Sequence, residues 1–209
     1  MKGLNWRKNI EEAMKEIAGG TRFGLLFFYD PDCEGSIETL AKTFEDERVI
    51  HLIKRETAPV MINTRSSADI MKKYRVNWTP AFIITDETGV ELERWAGYLP
   101  ADDFMAQLKL SKGLAAFHLG RYAEAKGEFD LLVEDHPDSD LVPEAEYFRG
   151  AAAYKLEGDV TRLGEMCAVI REKHPDTIWA KKCSVWAHLT GVSNMPQAGF
   201  VGGGGSGVY

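Results

Sequence analysis

The fold is decided by the stretch Phe23-Gly24-Leu25-Leu26-Phe27-Phe28-Tyr29-Asp30-Pro31-Asp32-Cys33-Glu34-Gly35-Ser36. Residues 23–29 form an apolar, aromatic-rich run of strand length that ends at turn residues. The pattern that follows predicts a helix over 33–44, with Asp32 as its N-cap and Cys33 in its first turn. Unpaired backbone N–H groups and the helix dipole stabilise a thiolate at such a position, so Cys33 is a candidate for thiol chemistry.

Composition excludes several function classes. The chain has 209 residues and a formal net charge of −7, with acidic and basic residues interspersed, and the lack of a basic block argues against nucleic acid as the main partner. No apolar run approaches the roughly 18–20 residues of a membrane span. The N-terminus lacks the apolar segment of a signal peptide, and the odd number of cysteines is typical of a reducing compartment. We therefore expect a cytoplasmic protein.

Periodicity predicts the elements on both sides of the opening stretch. On the helix over 33–44 we expect Ile37, Leu40, Ala41 and Phe44 to face the core. Asp46 is a candidate N-cap for the next helix. The further helices are predicted over 5–18 (with Trp6, Ile10, Ala13, Met14 and Ile17 on one face), 47–55, 66–74 and from Pro100 onward, and the further strands over 58–63, 81–85 and 90–95. The last two strands read as a hairpin, and the order of elements predicts an α/β mixed sheet with flanking helices.

Three features together resemble the thioredoxin superfamily over about residues 1–110. They are the strand–Cys33–helix junction, the Thr79-Pro80 dipeptide before a core strand, and the hairpin that leads into 97–100. The resemblance implies a thioredoxin-like fold with a cis peptide bond at Pro80. It also implies that the backbone at Thr79 and Pro80 binds an extended substrate segment beside the active site.

The motif at the helix start departs from the dithiol pattern of that superfamily. It reads Cys33-Glu34-Gly35-Ser36, so the attacking cysteine is kept and Ser36 occupies the resolving position. Because a serine cannot form a disulfide, only monothiol exchange remains open to Cys33, with release by an outside thiol such as glutathione. The helix start lowers the pKa of this thiol, whereas Asp30, Asp32 and Glu34 act to raise it.

Further positions also differ from the superfamily pattern. Phe27 stands where the resemblance implies a buried acid that moves protons, and Asp32 stands where it implies a tryptophan. Cys167 and Cys183 lie among apolar neighbours in predicted helices, and we expect them to be buried and inert. No Cys/His spacing predicts a metal site, and no resident cofactor is predicted.

After residue 110 the pattern is helical and repeats with a period of about 37–38 residues. The first copy uses Gly113, Phe117, Gly120, Tyr122, Ala125, Phe129 and Pro137, and the second places Gly150, Tyr154, Gly158 and Ala168 in related positions. Each copy ends in His-Pro-Asp, at 136–138 and 174–176, which is typical of helix ends. The spacing resembles tetratricopeptide repeats, with a capping helix over 178–189.

These patterns predict three parts and leave two functions open. The parts are a thioredoxin-like domain over 1–110, tetratricopeptide-like helices over 111–190 and a flexible Gly-rich tail over 191–209. The first hypothesis is a protein-interaction module or complex subunit, with a protein or peptide partner. The alternative is a monothiol thiol–disulfide exchange enzyme that uses Cys33, with the repeats selecting protein substrates. A dithiol reductase is disfavoured by Ser36, and the oligomeric state is left open.

Overall fold

The computed structural model describes residues 3–190. The strands of its N-terminal half are β1 (Phe23–Tyr29), β2 (Thr57–Asn63), β3 (Ala81–Thr85) and β4 (Glu91–Ala96), and the helices of this half are α1 (Ile10–Ile17), α2 (Glu34–Ala41), α3 (Glu47–Glu56) and α4 (Ala68–Tyr74). The strands form one sheet in the order β2-β1-β3-β4. β1 pairs parallel with β2 and antiparallel with β3, and β3 pairs antiparallel with β4, which confirms the mixed sheet and the hairpin.

The central strand β1 is buried on both faces of the sheet. Leu25 and Phe27 belong to the core that α3 and the following helices cover, while Leu26 and Phe28 belong to the core under α1 and α4. Successive side chains of a strand point to opposite faces, so a strand with two covered faces reads as one continuous apolar run. This burial is the reason that the run 23–29 identifies the strand in the sequence.

The predicted helix over 5–18 begins later than expected. α1 starts at Ile10, where the Asn9 side chain accepts a hydrogen bond from the backbone N–H of Glu12 at 2.8 Å. Before the cap, Arg7 pairs with the edge of β2 and donates its backbone N–H to the carbonyl of Pro59 at 2.9 Å. Trp6 accordingly packs with Phe27 on the other face of the sheet, so placing it on the inner face of α1 was wrong.

The helix after β1 also differs from the prediction at its start and on its buried face. Cys33, not Asp32, is its N-cap residue, and α2 runs only from Glu34 to Ala41 before a short 3-10 turn at Thr43–Glu45. Ile37 is 43% exposed, while Ser36 and Thr39 are buried. Phe44 is buried as predicted, whereas Ala41 is exposed and Leu40 is half-buried. The next helix begins as expected, because Asp46 accepts a hydrogen bond from the backbone N–H of Arg48 at 2.8 Å.

One long helix connects the sheet half to the helical half. α5 spans Ala101–His118, and 12 of its 18 residues are buried. The predicted boundary between residues 110 and 111 lies inside this helix. Phe104 in α5 packs against Phe44 and Phe82, while further along the same helix Gly113 lies against Phe129. The two halves therefore share one apolar core.

The remaining helices pack against their neighbours in sequence order. They are α6 (Tyr122–Asp135), α7 (Val142–Glu157), α8 (Thr161–Lys173) and α9 (Ile178–Cys183), followed by a 3-10 turn at Ser184–Leu189. Gly113 lies against Phe129, and Gly150 lies against Met166 with the same spacing in sequence. His136 and His174 are the C-cap residues of α6 and α8, which confirms the two predicted helix ends. Ala168 is exposed, so the packing repeat is carried by Met166 instead.

Two sequence predictions concern the ends of the chain and membrane spans. The Gly-rich tail over 191–209 lies outside the described residues. Within residues 3–190 no helix has both the length and the apolar character needed to cross a bilayer.

A buried lysine joins the two halves electrostatically. Lys112 in α5 is 3% exposed and binds both Glu56 of α3 and Glu128 of α6, the latter at 2.6 Å. Burial acts to raise the pKa of Glu56, but the bonds from Lys112 and Arg55 hold it below its usual value. The charge of this lysine is thus matched by carboxylates from both sides of the junction.

Removing that lysine should destabilise the fold strongly. Lys112→Ala leaves Glu128 without its cation and leaves Glu56 with only the exposed Arg55, and we expect the free energy of unfolding to fall by about 3 kcal/mol. Chemical denaturation at neutral pH measures the change. The matched control is Lys15→Ala, which removes an exposed ion pair with Glu11 and should leave the free energy of unfolding nearly unchanged. Equal effects of the two variants would contradict the structural role of Lys112.

The close approach of α5 and α6 gives a second stability test. A Cβ atom at Gly113 would lie 2.5 Å from the Phe129 ring, so Gly113→Ala should destabilise by about 1–3 kcal/mol. Gly127 is also in a helix interior but has no atom within 4 Å of its added Cβ, so Gly127→Ala should stabilise by about 0.5–1 kcal/mol. Thermal or denaturant unfolding of both variants should therefore show shifts of opposite sign.

Candidate thiol site

The four residues predicted for the site come together at the end of the sheet where β1 ends and β3 begins. Cys33 Sγ donates a hydrogen bond to the carbonyl oxygen of Thr79 at 3.2 Å, and the Thr79–Pro80 peptide bond is cis. Ser36 lies below the thiol, where its Oγ accepts a hydrogen bond from the backbone N–H of Asp30 at 3.3 Å. β1 and β3 are antiparallel neighbours, so the segment that follows β1 and the segment that precedes β3 meet at the same edge.

A glycine that the sequence reasoning did not single out allows this approach. A Cβ atom at Gly35 would lie 2.9 Å from Pro80 Cδ, inside the normal contact distance. Gly35 therefore permits the first turn of α2 to pack directly against the proline. The glycine between the cysteine and the serine is visible in the sequence, but its role becomes clear only from the position of Pro80 in the structure.

Cys33 is half-buried, and its surroundings favour the thiolate. The pKa of the thiol is lowered first by a hydrogen bond from the Thr79 side chain, and then by the Ser36 backbone and hydroxyl and the Gly35 backbone. Burial acts in the opposite direction. The carbonyl of Thr79 also favours the protonated thiol, because it accepts from S–H, but it is one acceptor against several donors. The balance predicts a more acidic thiol than that of a free cysteine.

Arg65 compensates the carboxylates that the sequence placed beside the thiol. It binds Asp30 at 2.9 Å and also binds Asp32. The pKa of Asp30 is lowered chiefly by the backbone N–H of Asp32, with a further contribution from Arg65. Because β1 and β2 are parallel, the residues that follow both strands share an edge, and Arg65 follows β2. The sequence reasoning missed this residue, although the parallel pairing of the strands is the signal that points to it.

The thiol opens onto a groove with an exposed aromatic side chain. The groove has a volume of about 270 Å³, and its lining residues are Asp30, Cys33, Thr64, Met71, Asn77, Trp78 and Thr79. Trp78, which directly precedes Thr79, is 70% exposed. A larger cavity of about 430 Å³ lies between α6, α7 and α8, but charged side chains that pair with each other dominate its lining. We place the candidate site at the smaller groove because it contains the exposed thiol.

Comparison with known proteins concerns the N-terminal half of the chain. Residues 10–112 match the model of a family described as a thioredoxin-like domain. This part of the chain has a thioredoxin-like fold. Similar solved structures include a thioredoxin from Thermus thermophilus, with 20% identity over 51% of this chain and 85% of that chain and a TM-score of 0.45. No curated protein matches the chain.

Two further solved structures are similar to part of the chain. One is a DsbH oxidoreductase, with 16% identity over 53% of this chain and 85% of that chain and a TM-score of 0.48. The other is the C-terminal domain of DsbD from Neisseria meningitidis in the oxidised form, with 19% identity over 46% of this chain and 86% of that chain and a TM-score of 0.41.

The thioredoxin-like domain of this chain brings a single thiol to the site. Ser36 is fully buried, and Phe27 is fully buried in a ring stack with Phe82 at a centroid distance of 5.1 Å. Cys167 and Cys183 are both buried in the core formed by α8 and α9, as predicted. Burial, followed by its interaction with Cys167, raises the pKa of Cys183 to about 12, which favours an inert thiol.

The compensation by Arg65 can be tested directly. Arg65→Gln leaves Asp30 and Asp32 without their cation, so the thiolate of Cys33 becomes less favourable and its pKa rises. At exposed sites such an effect is modest, and we expect the alkylation rate of Cys33 at neutral pH to fall by about twofold. Mass spectrometry of the iodoacetamide-labelled protein measures this rate. Arg55→Gln, which removes an exposed cation of α3, is the control and should leave the rate unchanged.

Proposed function

We propose that this protein carries out monothiol thiol–disulfide exchange through Cys33 on polypeptide substrates. The observation that supports the proposal is the position of its Sγ, half-exposed at the start of α2 and 3.2 Å from the carbonyl oxygen of Thr79. Backbone N–H groups at the helix start stabilise a thiolate there, and the groove beside it is open to a bound segment.

The proposed reaction has two exchange steps. In the first, the Cys33 thiolate attacks one sulfur of a substrate disulfide, the substrate S–S bond breaks, and the other sulfur leaves as a thiolate that takes a proton from water. In the second, a low-molecular-weight thiol such as glutathione attacks the substrate sulfur of the mixed disulfide. Cys33 then leaves as a thiolate, and the small thiol stays bound to the substrate in a new disulfide. Each step forms one S–S bond and breaks one, so no net electron transfer is needed.

Ser36 has a supporting role in this proposal. Its hydroxyl and its backbone N–H both lower the pKa of the Cys33 thiol, which favours the attacking species. A hydroxyl cannot resolve the mixed disulfide, so the intermediate persists until an outside thiol arrives. The thioredoxin-like site is therefore suited to exchange rather than to a self-contained dithiol cycle.

A second candidate function is that of a protein-interaction module or complex subunit. The observation that favours it is the helical half, where Gly113 lies against Phe129 and Gly150 lies against Met166, so that α5 to α8 pack one after another. Stacked helix pairs of this kind present binding surfaces for peptide segments. The variant Cys33→Ser distinguishes the two candidates. It should abolish thiol–disulfide exchange, but it should leave a stable partner of an interaction module bound.

A substitution at the resolving position tests the exchange chemistry. A cysteine at position 36 would complete a Cys-x-x-Cys motif at the helix start, a spacing at which redox-active disulfides form. Ser36→Cys should therefore release the substrate thiol from the mixed disulfide without an outside thiol. The wild-type protein should instead accumulate one equivalent of covalently trapped substrate.

Mass spectrometry under non-reducing conditions, with a peptide disulfide as substrate, distinguishes these results. Ser36→Ala is the matched control, because it removes the hydroxyl without adding a thiol and should still trap the substrate, although more slowly. Release of the substrate by the wild-type protein alone would contradict a monothiol cycle, and failure of Cys33 to form any mixed disulfide would contradict the proposal as a whole.

A further inference from the structure

Trp78 is placed where the neighbours of a reacting substrate cysteine must lie. It directly precedes Thr79, whose carbonyl oxygen is 3.2 Å from Cys33 Sγ, and its side chain lines the groove beside the thiol. A disulfide bond to Sγ is only about 2 Å long, so the substrate cysteine bonded to it lies close to this segment. Extended residues are about 3.3 Å apart, which brings the residue next to the substrate cysteine within reach of the indole.

The indole of Trp78 has a face that is available to such a residue. Its exposed fraction is 70%, the largest among the exposed apolar side chains of the described chain. Within residues 3–190 no other aromatic ring and no cation lies against it. Elsewhere in the fold the same type of ring does hold a cation, because Lys182 Nζ lies 3.8 Å from the ring centroid of Trp179. A tryptophan face is the best aromatic partner for a cation.

The charges near the thiol favour a cation as well. Arg65 is bound by two carboxylates, Asp30 and Asp32. The exposed Glu34 adds a third negative charge at the start of α2, and the nearby Lys42 compensates it only in part because Lys42 is bound to Glu38. Among the described residues that line the groove none is a cation, so nothing there is suited to bind the carboxylates of glutathione. The edge therefore has an excess of negative charge, which favours a positively charged segment over an acidic one.

We propose that Trp78 selects the substrate of Cys33, and that it favours polypeptide disulfides with a lysine or arginine next to the reacting cysteine. This inference rests on the exchange activity proposed above. The cation of the substrate lies over the indole face while the carboxylates at the end of β1 attract it. Glutathione enters only in the second step, as a colliding thiol without a bound position.

The test uses the full-length protein and three synthetic peptides. Each peptide carries one cysteine in a mixed disulfide with 2-thiopyridine, a neutral leaving group, and the residue before the cysteine is lysine, leucine or glutamate. Release of 2-thiopyridone gives the rate of attack by Cys33. Each rate is divided by the rate of the same protein with 2-hydroxyethyl 2-pyridyl disulfide, and by the reactivity of the same peptide towards mercaptoethanol. These ratios remove differences in thiol pKa and in peptide electrophilicity.

We expect the wild-type protein to react about two- to fivefold faster with the lysine peptide than with the leucine peptide, a ratio typical of a cation–π contact at an exposed site. The glutamate peptide should be the slowest. In Trp78→Ala the rate with the lysine peptide divided by the rate with the leucine peptide should fall close to one when salt screens the carboxylates. Val90→Ala is the matched control, because Val90 is 58% exposed and lies beyond the opposite end of β3, and it should keep the wild-type ratio.

The outcomes separate this inference from the proposed function. Equal ratios for the three peptides, or a preference for leucine, would overturn the selection by Trp78 while exchange at Cys33 stands. Persistence of the lysine preference in Trp78→Ala at high salt would also overturn it. If Cys33 of the wild-type protein fails to react even with the neutral reagent, the exchange activity itself is wrong.

Discussion

The burial of β1 on both faces is the constraint on which the rest of the structure depends. Because the strand lies in the centre of the sheet, its C-terminal end meets the end of parallel β2 on one side and the start of antiparallel β3 on the other. Cys33 comes from the first of these segments, Arg65 from the second and Thr79 from the third. The thiol site is therefore a consequence of strand order, and its electrostatics depend on residues far apart in sequence.

The helical half is attached to the same sheet by a shared core and by a buried charge. α5 packs Phe104 against the sheet side and Gly113 against α6, and Lys112 binds carboxylates from both sides of the junction. Buried ion pairs seldom add much stability, but losing one partner of such a group is costly. Any substrate or partner bound by the helical half would thus be held in a fixed relation to the groove at Cys33.

The sequence predicted the parts of the fold that depend on local signals. The run 23–29, the hairpin and the Asp46 cap were recognised because burial on both faces, strand alternation and side-chain capping leave clear patterns. The start of α1 and the inner face of α2 were wrong, since tertiary contacts decided both. Trp6 packs against the core on the face of the sheet opposite to α1, and the buried positions of α2 are the polar residues Ser36 and Thr39.

The site was predictable only in part. Cys33, Ser36, Thr79 and Pro80 followed from the resemblance to thioredoxins, and the structure brings them together. Arg65 and the role of Trp78 were missed, because both depend on which strand ends are neighbours and on what remains exposed after folding. Periodicity along one chain contains no information about such pairs.

The central claim is that this fold turns Cys33 into a reactive thiolate. The most direct measurement is the pH dependence of alkylation of each cysteine in the wild-type protein, followed residue by residue with mass spectrometry. We expect Cys33 to be labelled with a pKa below the value of about 8.5 for a free cysteine, while Cys167 and Cys183 stay unlabelled in the folded protein. A pKa of Cys33 at or above the free value would contradict it.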